Sequence, residues 1–226
     1  MNSPHDHHRD DGDPASNRSM SVSDIRESYA ECADWMHRLE WLDRVVVGRD
    51  RHARFGDVDG RVLDVACGTG TNFRYLPGTV ELVGIDVSPE MLANAQATLD
   101  ELGRDGTLEE MDAGDLEFPD DSFDAVISAL STCTFPDPVA ALREMERVCR
   151  PGGTIRLVEH GRSDVGPLAR FQEWRADAHY ERTGCRWTQE PTEVVAEAGL
   201  DVRDTDTGLL GMVTTFEITP GRGDQR

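Results

Sequence analysis

VLDVACGTGTN, residues 62–72, joins an apolar run carrying one acid, Asp64, to a turn with glycines at 68 and 70. A buried strand feeding a glycine turn is how many α/β proteins hold a nucleotide, because bare backbone lets the ligand approach closely. A dinucleotide fingerprint needs another glycine three places past the second, where helix and strand must pack tightly. That place is Phe73. Its bulk argues against a hydride-transfer enzyme and leaves the pattern acid-x-Ala-x-Gly-x-Gly, from Asp64 to Gly70, to be explained.

Working outward, short apolar runs alternate with helical stretches. The expected strands are 61–66, 81–86, 107–111, 123–128, 154–159, 200–204 and 214–219, with helices near 89–102, 138–149 and 191–198. Strands alternating with helices of this length imply right-handed crossovers, so the fold class is α/β, a doubly wound, mostly parallel seven-stranded sheet. Before the first strand, Ile25, Tyr29, Cys32, Met36, Leu39 and Leu42 recur every three or four places, marking a helix over 21–47. Residues 1–20 lack the apolar middle of a secretory signal and read as a polar tail, with His5, His7 and His8 as weak metal donors at most. Residues 21–226 read as one domain. Its insert at 161–190 places Phe171, Trp174 and Ala178 on one helix face, expected to be core or the wall of an acceptor pocket.

The charge is lopsided. There are 44 acids against 23 bases, a formal net charge of −21, and every one of those bases is arginine. A salt-saturated cytosol explains this, since screening makes dense carboxylates cheap; a GC-rich coding bias explains it too. Nucleic acid is not an expected partner, because no basic face is present: Arg143, Arg147 and Arg150 lie beside Glu144 and Glu146. Five scattered cysteines without a CxxC pair predict a reduced, cytoplasmic protein with no metal site, the thiols being small buried side chains. No run approaches the roughly 20 apolar residues of a membrane span.

Four motifs in order give the chain a resemblance, over about residues 29–219, to the class I S-adenosylmethionine (SAM)-dependent methyltransferases, in particular the ubiquinone/menaquinone methyltransferase group. The first is Asp64 to Gly70, with Ala66 where that family has glycine. The second runs from Val83 through Asp86, 16 places after Gly70, to Met91 and Leu92; the third is Met111 to Pro119; the fourth is Ser122 to Ser128. Arg150-Pro151-Gly152-Gly153 then precedes the fifth strand. The resemblance implies that SAM is the cofactor. Backbone at Ala66, Gly68 and Gly70 would pass under its methionine part, and Asp64 would anchor the amino group. Asp86 would take both ribose hydroxyls, and Met91 would pack on the adenine. Asp112 and the backbone of Ala113 would meet the adenine edge, Ser128 would face the methyl group, and Tyr29 would close over the ligand. The Tyr29-Ala30-Glu31-Cys32-Ala33 segment matches the lid of that family at Tyr29 and Ala33.

Methyl transfer from a sulfonium is an in-line displacement, so positioning is the enzyme's main task. A base matters only when the acceptor must lose a proton. The candidates are Glu159 and His160, just past the fifth strand; a base role for His160 requires that His160→Ala cost more than about threefold in turnover. Residues 158–160 and 184–188 are also similar to thiol methyltransferase-like and phospholipid N-methyltransferase enzymes. The implied acceptor is small and apolar, a thiol, quinone precursor or amine, with peripheral membrane contact compatible. The alternatives are a quinone-precursor C-methyltransferase specifically, and a protein that binds SAM without transferring methyl.

Overall fold

The computed structural model describes residues 20–221, without the side chains of 31–40 and 42. The histidine-bearing tail and several apolar positions of the first helix therefore lie outside the described residues. Helix α1 spans Val22–Val46, opened by Ser21, whose hydroxyl accepts from Asp24 N while the Asp24 side chain accepts from Ser21 N. Helix α2, Gly48–Phe55, follows at once. The first strand, β1 (Arg61–Val65), is buried throughout except at its first residue. It is followed not by an α-helix but by one short 3-10 turn, Thr71–Tyr75. Then come β2 (Glu81–Asp86), α3 (Pro89–Leu102), β3 (Thr107–Glu110), β4 (Phe123–Ala129) and α4 (Pro138–Val148). The chain closes with β5 (Cys149–His160), α5 (Gly166–Thr183), α6 (Pro191–Ala198), β6 (Asp201–Gly208) and β7 (Val213–Thr219).

The sheet order is β3-β2-β1-β4-β5-β7-β6. Strands β1 to β5 pair in parallel, and β7 pairs antiparallel with both β5 and β6. The order reverses between β1 and β4, so the crevice for a ligand opens beyond the carboxyl ends of those two strands and β2. Two apolar cores flank the sheet. One gathers Leu63, Phe123, Leu142, Met145 and Phe216 under α4 and α6. The other gathers Phe55, Val62, Phe73, Leu99 and Ile127 under α2 and α3. Phe73 is fully buried. Room for its ring is made in β2, where a Cβ on Gly84 would sit 3.3 Å from the Phe73 Cζ and 2.9 Å from Leu108. The bulky residue that spoils the dinucleotide fingerprint is thus a core residue.

Two expectations change. Helix α2 is unmarked in the sequence because GRDRHARF is polar; it is held by burying Phe55 and Arg51. On α5 the buried residues are Ala169 and Gln172, while Phe171 is 50% and Trp174 74% exposed. The aromatic stripe faces outward, because α5 is anchored by polar contacts: Gln172 Oε1 accepts from Ser163 N at 2.8 Å and its amide donates to Gly161 O at 3.1 Å.

Candidate active site

A cavity of about 440 Å³ opens at the reversal point, within the usual range for a small-molecule site. Its floor is the 66–72 turn apart from Gly70, one wall is Asp86, Val87 and Met91, another is Met111 to Ala113, and a third is Ala129 to Ser131 with Thr134 to Pro136. Helix α1 covers it with Val22, Ile25, Tyr29 and, at its far end, Asp43 and Val46. Of the residues singled out from sequence, Tyr29, Ala66, Gly68, Asp86, Met91, Asp112 and Ala113 line this one cavity.

The turn is shaped by its backbone. Ala66 and Gly68 both have left-handed conformations, φ 54° and 55°, and a Cβ on Gly68 would meet nothing within 4 Å. Only empty space fills that position, so a side chain there would project into the room a ligand needs. Asp86 closes the turn: Oδ2 accepts from Gly68 N and Oδ1 from Ser88 N, both at 2.9 Å. Each oxygen keeps a lone pair for a further donor. Burial pushes the Asp86 carboxyl above its usual range. Asp112 is fixed by an Asx turn to Gly114 N at 2.9 Å. Met91 N is capped by the Ser88 hydroxyl at 3.2 Å, which sets the start of α3 against the cavity.

Asp64 sits one layer deeper and is fully buried. Asn72 donates to its Oδ1 at 2.9 Å, while Oδ2 has no hydrogen-bond partner among the described residues. Burial, against the pull of Asn72 and Arg51, raises its pKa to about 7. Arg51 lines the cavity between Asn72 and Asp43, its Nε without a hydrogen-bond partner among the described residues. Because the folded state holds the Asp64 proton more tightly than the unfolded chain, the stability it contributes is full below about pH 4. It is lost as pH rises through about 7. Urea unfolding of the wild type and Asp64→Asn is therefore expected to diverge, the wild type losing up to about 4 kcal/mol relative to the variant between pH 4 and 8. Parallel pH profiles would contradict this.

Ser128 and the candidate bases are placed elsewhere. Ser128 is fully buried and donates to Val65 O at 2.8 Å, a tie between β4 and β1 rather than a cavity contact. Ala129, Leu130 and Ser131 occupy the wall instead, Leu130 with φ 57°. Glu159 is fully buried beneath that wall; its Oε2 accepts from Ser131 N at 3.1 Å and Thr132 N at 3.3 Å. Burial raises its pKa to about 7. Its carboxylate is committed to holding the wall and does not reach the cavity. His160 also lies outside the lining, with Nε2 3.1 Å from Cys133 Sγ and 3.3 Å from Cys185 Sγ. The contact between the two sulfurs draws the Cys185 thiol well below its usual range and drives Cys133 up.

Comparison with known proteins agrees with this geometry. Residues 63–157 match the model of a methyltransferase domain. A phosphatidylethanolamine N-methyltransferase of Cereibacter sphaeroides is 41% identical over 160 residues, 70% of this chain and 78% of that one. The chain belongs to the class I SAM-dependent methyltransferases. The UbiE ubiquinone/menaquinone C-methyltransferase of Bdellovibrio bacteriovorus is 39% identical over 133 residues, 58% of this chain and 54% of that one. Among solved structures, a Haloferax volcanii putative methyltransferase, in complex with the activator Trm112, overlays with a TM-score of 0.68 at 25% identity, covering 87% of this chain and 99% of that one.

The cofactor of this methyltransferase is SAM, and the site fits it on three local observations. The open space above Gly68 admits a ligand against bare backbone. Arg51 in the cavity wall has a guanidinium nitrogen, and Asp64 one layer beneath it a carboxylate oxygen, with no hydrogen-bond partner among the described residues. A carboxylate with spare lone pairs stands at Asp86.

Proposed function

We propose that this methyltransferase moves the methyl group of SAM to a small apolar acceptor entering between α1 and the 129–136 wall. SAM supplies a methyl already activated as a sulfonium. Backbone at Ala66, Gly68 and Gly70 passes under the methionine part, with Arg51 facing the carboxylate and Asp64, one layer deeper, acting on the amino group from behind the turn. Asp86 accepts from the ribose hydroxyls, a role that suits a carboxylate. Met91 packs on the adenine, and Asp112 and Ala113 meet its edge. Tyr29, in the cavity wall beside Asp86, closes the ligand off from water. Neither Ser128 nor Glu159 touches the reacting atoms in this reading; both position the wall.

The observation that carries the acceptor class is the apolar lining on the helix side. Val22, Ile25, Val46 and Val47 line the cavity, and Trp41 and Val45 are exposed on the same helix. No described helix is long and apolar enough to cross a membrane. With neither Glu159 nor His160 in the wall, the reading favours an acceptor that brings its own nucleophilic lone pair. Support for an amine comes from the name of the 41% identical relative, and for a quinone-precursor carbon from that of the 39% identical one. The test is a methyl-transfer assay with an alkylamine, an alkylthiol and a quinone precursor of matched chain length. Turnover that rises with acceptor chain length is expected. Equal turnover of polar and apolar acceptors would sink the apolar reading.

The acidic, lysine-free composition supports a protein adapted to high salt. Its midpoint of unfolding is expected to rise steeply between about 0.1 and about 3 M KCl, as screening relieves self-repulsion. An unchanged midpoint across that range would leave coding bias as the explanation.

A further inference from the structure

The fold brings together Cys133, His160 and Cys185, which the sequence keeps 25 to 52 positions apart. Their donor atoms form a closed triangle: Sγ of Cys133 to Nε2 of His160 at 3.1 Å, Sγ of Cys185 to the same nitrogen at 3.3 Å, and the two sulfurs 3.2 Å apart. Among the described residues this is a set of three ligand atoms within 4.8 Å of one another, with both cysteines buried. We propose that these three residues bind a thiophilic divalent cation, Zn²⁺, beside the acceptor wall.

The donor set selects the ion. Two thiolates and one imidazole suit Zn²⁺ and exclude Mg²⁺ and Ca²⁺, which take oxygen ligands. Tetrahedral bonds of about 2.3 Å to sulfur and about 2.0 Å to nitrogen separate donors by roughly 3.5–3.8 Å. Each edge of the triangle would open by a few tenths of an ångström to admit the ion. Three protein ligands leave a fourth position free, the arrangement kept by catalytic rather than purely structural zinc.

The ligands are held as a metal site requires. Glu159 fixes the 131–132 backbone ahead of Cys133. Arg186 N donates to Cys133 O at 3.0 Å, tying the Cys133 segment to the Cys185 segment. The imidazole of His160 has the backbone of Trp187 as a further hydrogen-bond partner, an outer contact of the kind that orients a ligating ring. The site also adjoins the cavity. Ser131, Thr134 and Phe135 on either side of Cys133 line it, and Tyr29 stands in the wall within electrostatic reach of both sulfurs. A cation here neutralises the thiolates at the acceptor end. Its free position takes water or a sulfur-bearing ligand.

The test uses the full chain, purified reduced and without chelator in high KCl. Metal content is measured by mass spectrometry, and Zn²⁺ and Co²⁺ are titrated in. The expected result is one Zn²⁺ per chain, thiolate-to-cobalt charge-transfer bands on Co²⁺ loading, and release of protons on binding. Cys133→Ser, Cys185→Ser and His160→Gln should each weaken Zn²⁺ by at least about 100-fold, while Cys149→Ser, a buried cysteine outside the cluster, should not. S-adenosylhomocysteine binding reports whether each variant is folded; if the variants fail that control, stoichiometry and cobalt spectra of the wild type decide. A reduced wild type that takes up no Zn²⁺ would overturn the proposal. So would a folded Cys185→Ser that binds as wild type, or a Cys133–Cys185 disulfide found in place of metal.

Discussion

Asp86→Ala is expected to weaken SAM binding by at least about 100-fold, with the protein still folded. The carboxylate lies at the end of β2, buried on the sheet side and facing the cavity. Hydrogen bonds to a charged acceptor are worth about 1.5–3 kcal/mol each, and two ribose hydroxyls would be lost together. The substitution also frees Gly68 N and Ser88 N, which Asp86 now satisfies, so the turn loosens under the ligand. Asp86→Asn keeps one acceptor oxygen, and so one of the two backbone ties, and should fall between wild type and Asp86→Ala. Calorimetric titration at fixed salt measures this. An Asp86→Ala protein that binds within about threefold of wild type would remove Asp86 from the site.

Glu159→Ala should cost about 3–5 kcal/mol of stability, because two buried amides, Ser131 N and Thr132 N, lose their acceptor at once. The effect should not stay local. Leu130 is held at φ 57° immediately before those amides, and such a conformation persists only where its surroundings enforce it. With the wall relaxed, kcat/KM should fall while the affinity for S-adenosylhomocysteine, set mainly at the 66–72 turn and Asp86, changes less. Glu159→Gln retains one acceptor oxygen and should recover part of the stability. A loss below about 1 kcal/mol in urea unfolding of Glu159→Ala would show that the carboxylate is not what holds the wall. Such a positioning role would take the place of the general-base role expected for Glu159, which lies within β5 near its end.

Much of this is written in local sequence. The central strands β1, β2 and β4 carry nearly continuous apolar runs because a parallel sheet is covered on both faces, and Asp86 at the end of β2 stands where chain direction alone puts it in the crevice. What was hidden is what depends on distance or on faces. Arg51 is a cavity residue on a helix so polar that no periodicity marks it. Phe171 and Trp174 have the spacing of a buried face, yet α5 is seated by Gln172 and Ala169. Ser128 is placed correctly at a strand end, but alternation along β4 turns its hydroxyl inward to Val65. The Cys133, His160 and Cys185 cluster has no local signature, since its members come from three segments that meet only through the β4–β5 pairing and the α5–α6 connection.

The central claim, that the glycine turn after β1 holds SAM, is tested most directly by calorimetric titration of the wild-type protein. SAM, S-adenosylhomocysteine and NAD would each be titrated in about 2–3 M KCl, which screens its charge. The account predicts saturable binding of the first two at one site per chain and no heat from NAD. A folded protein that binds neither SAM nor S-adenosylhomocysteine, or that binds NAD in their place, would contradict it.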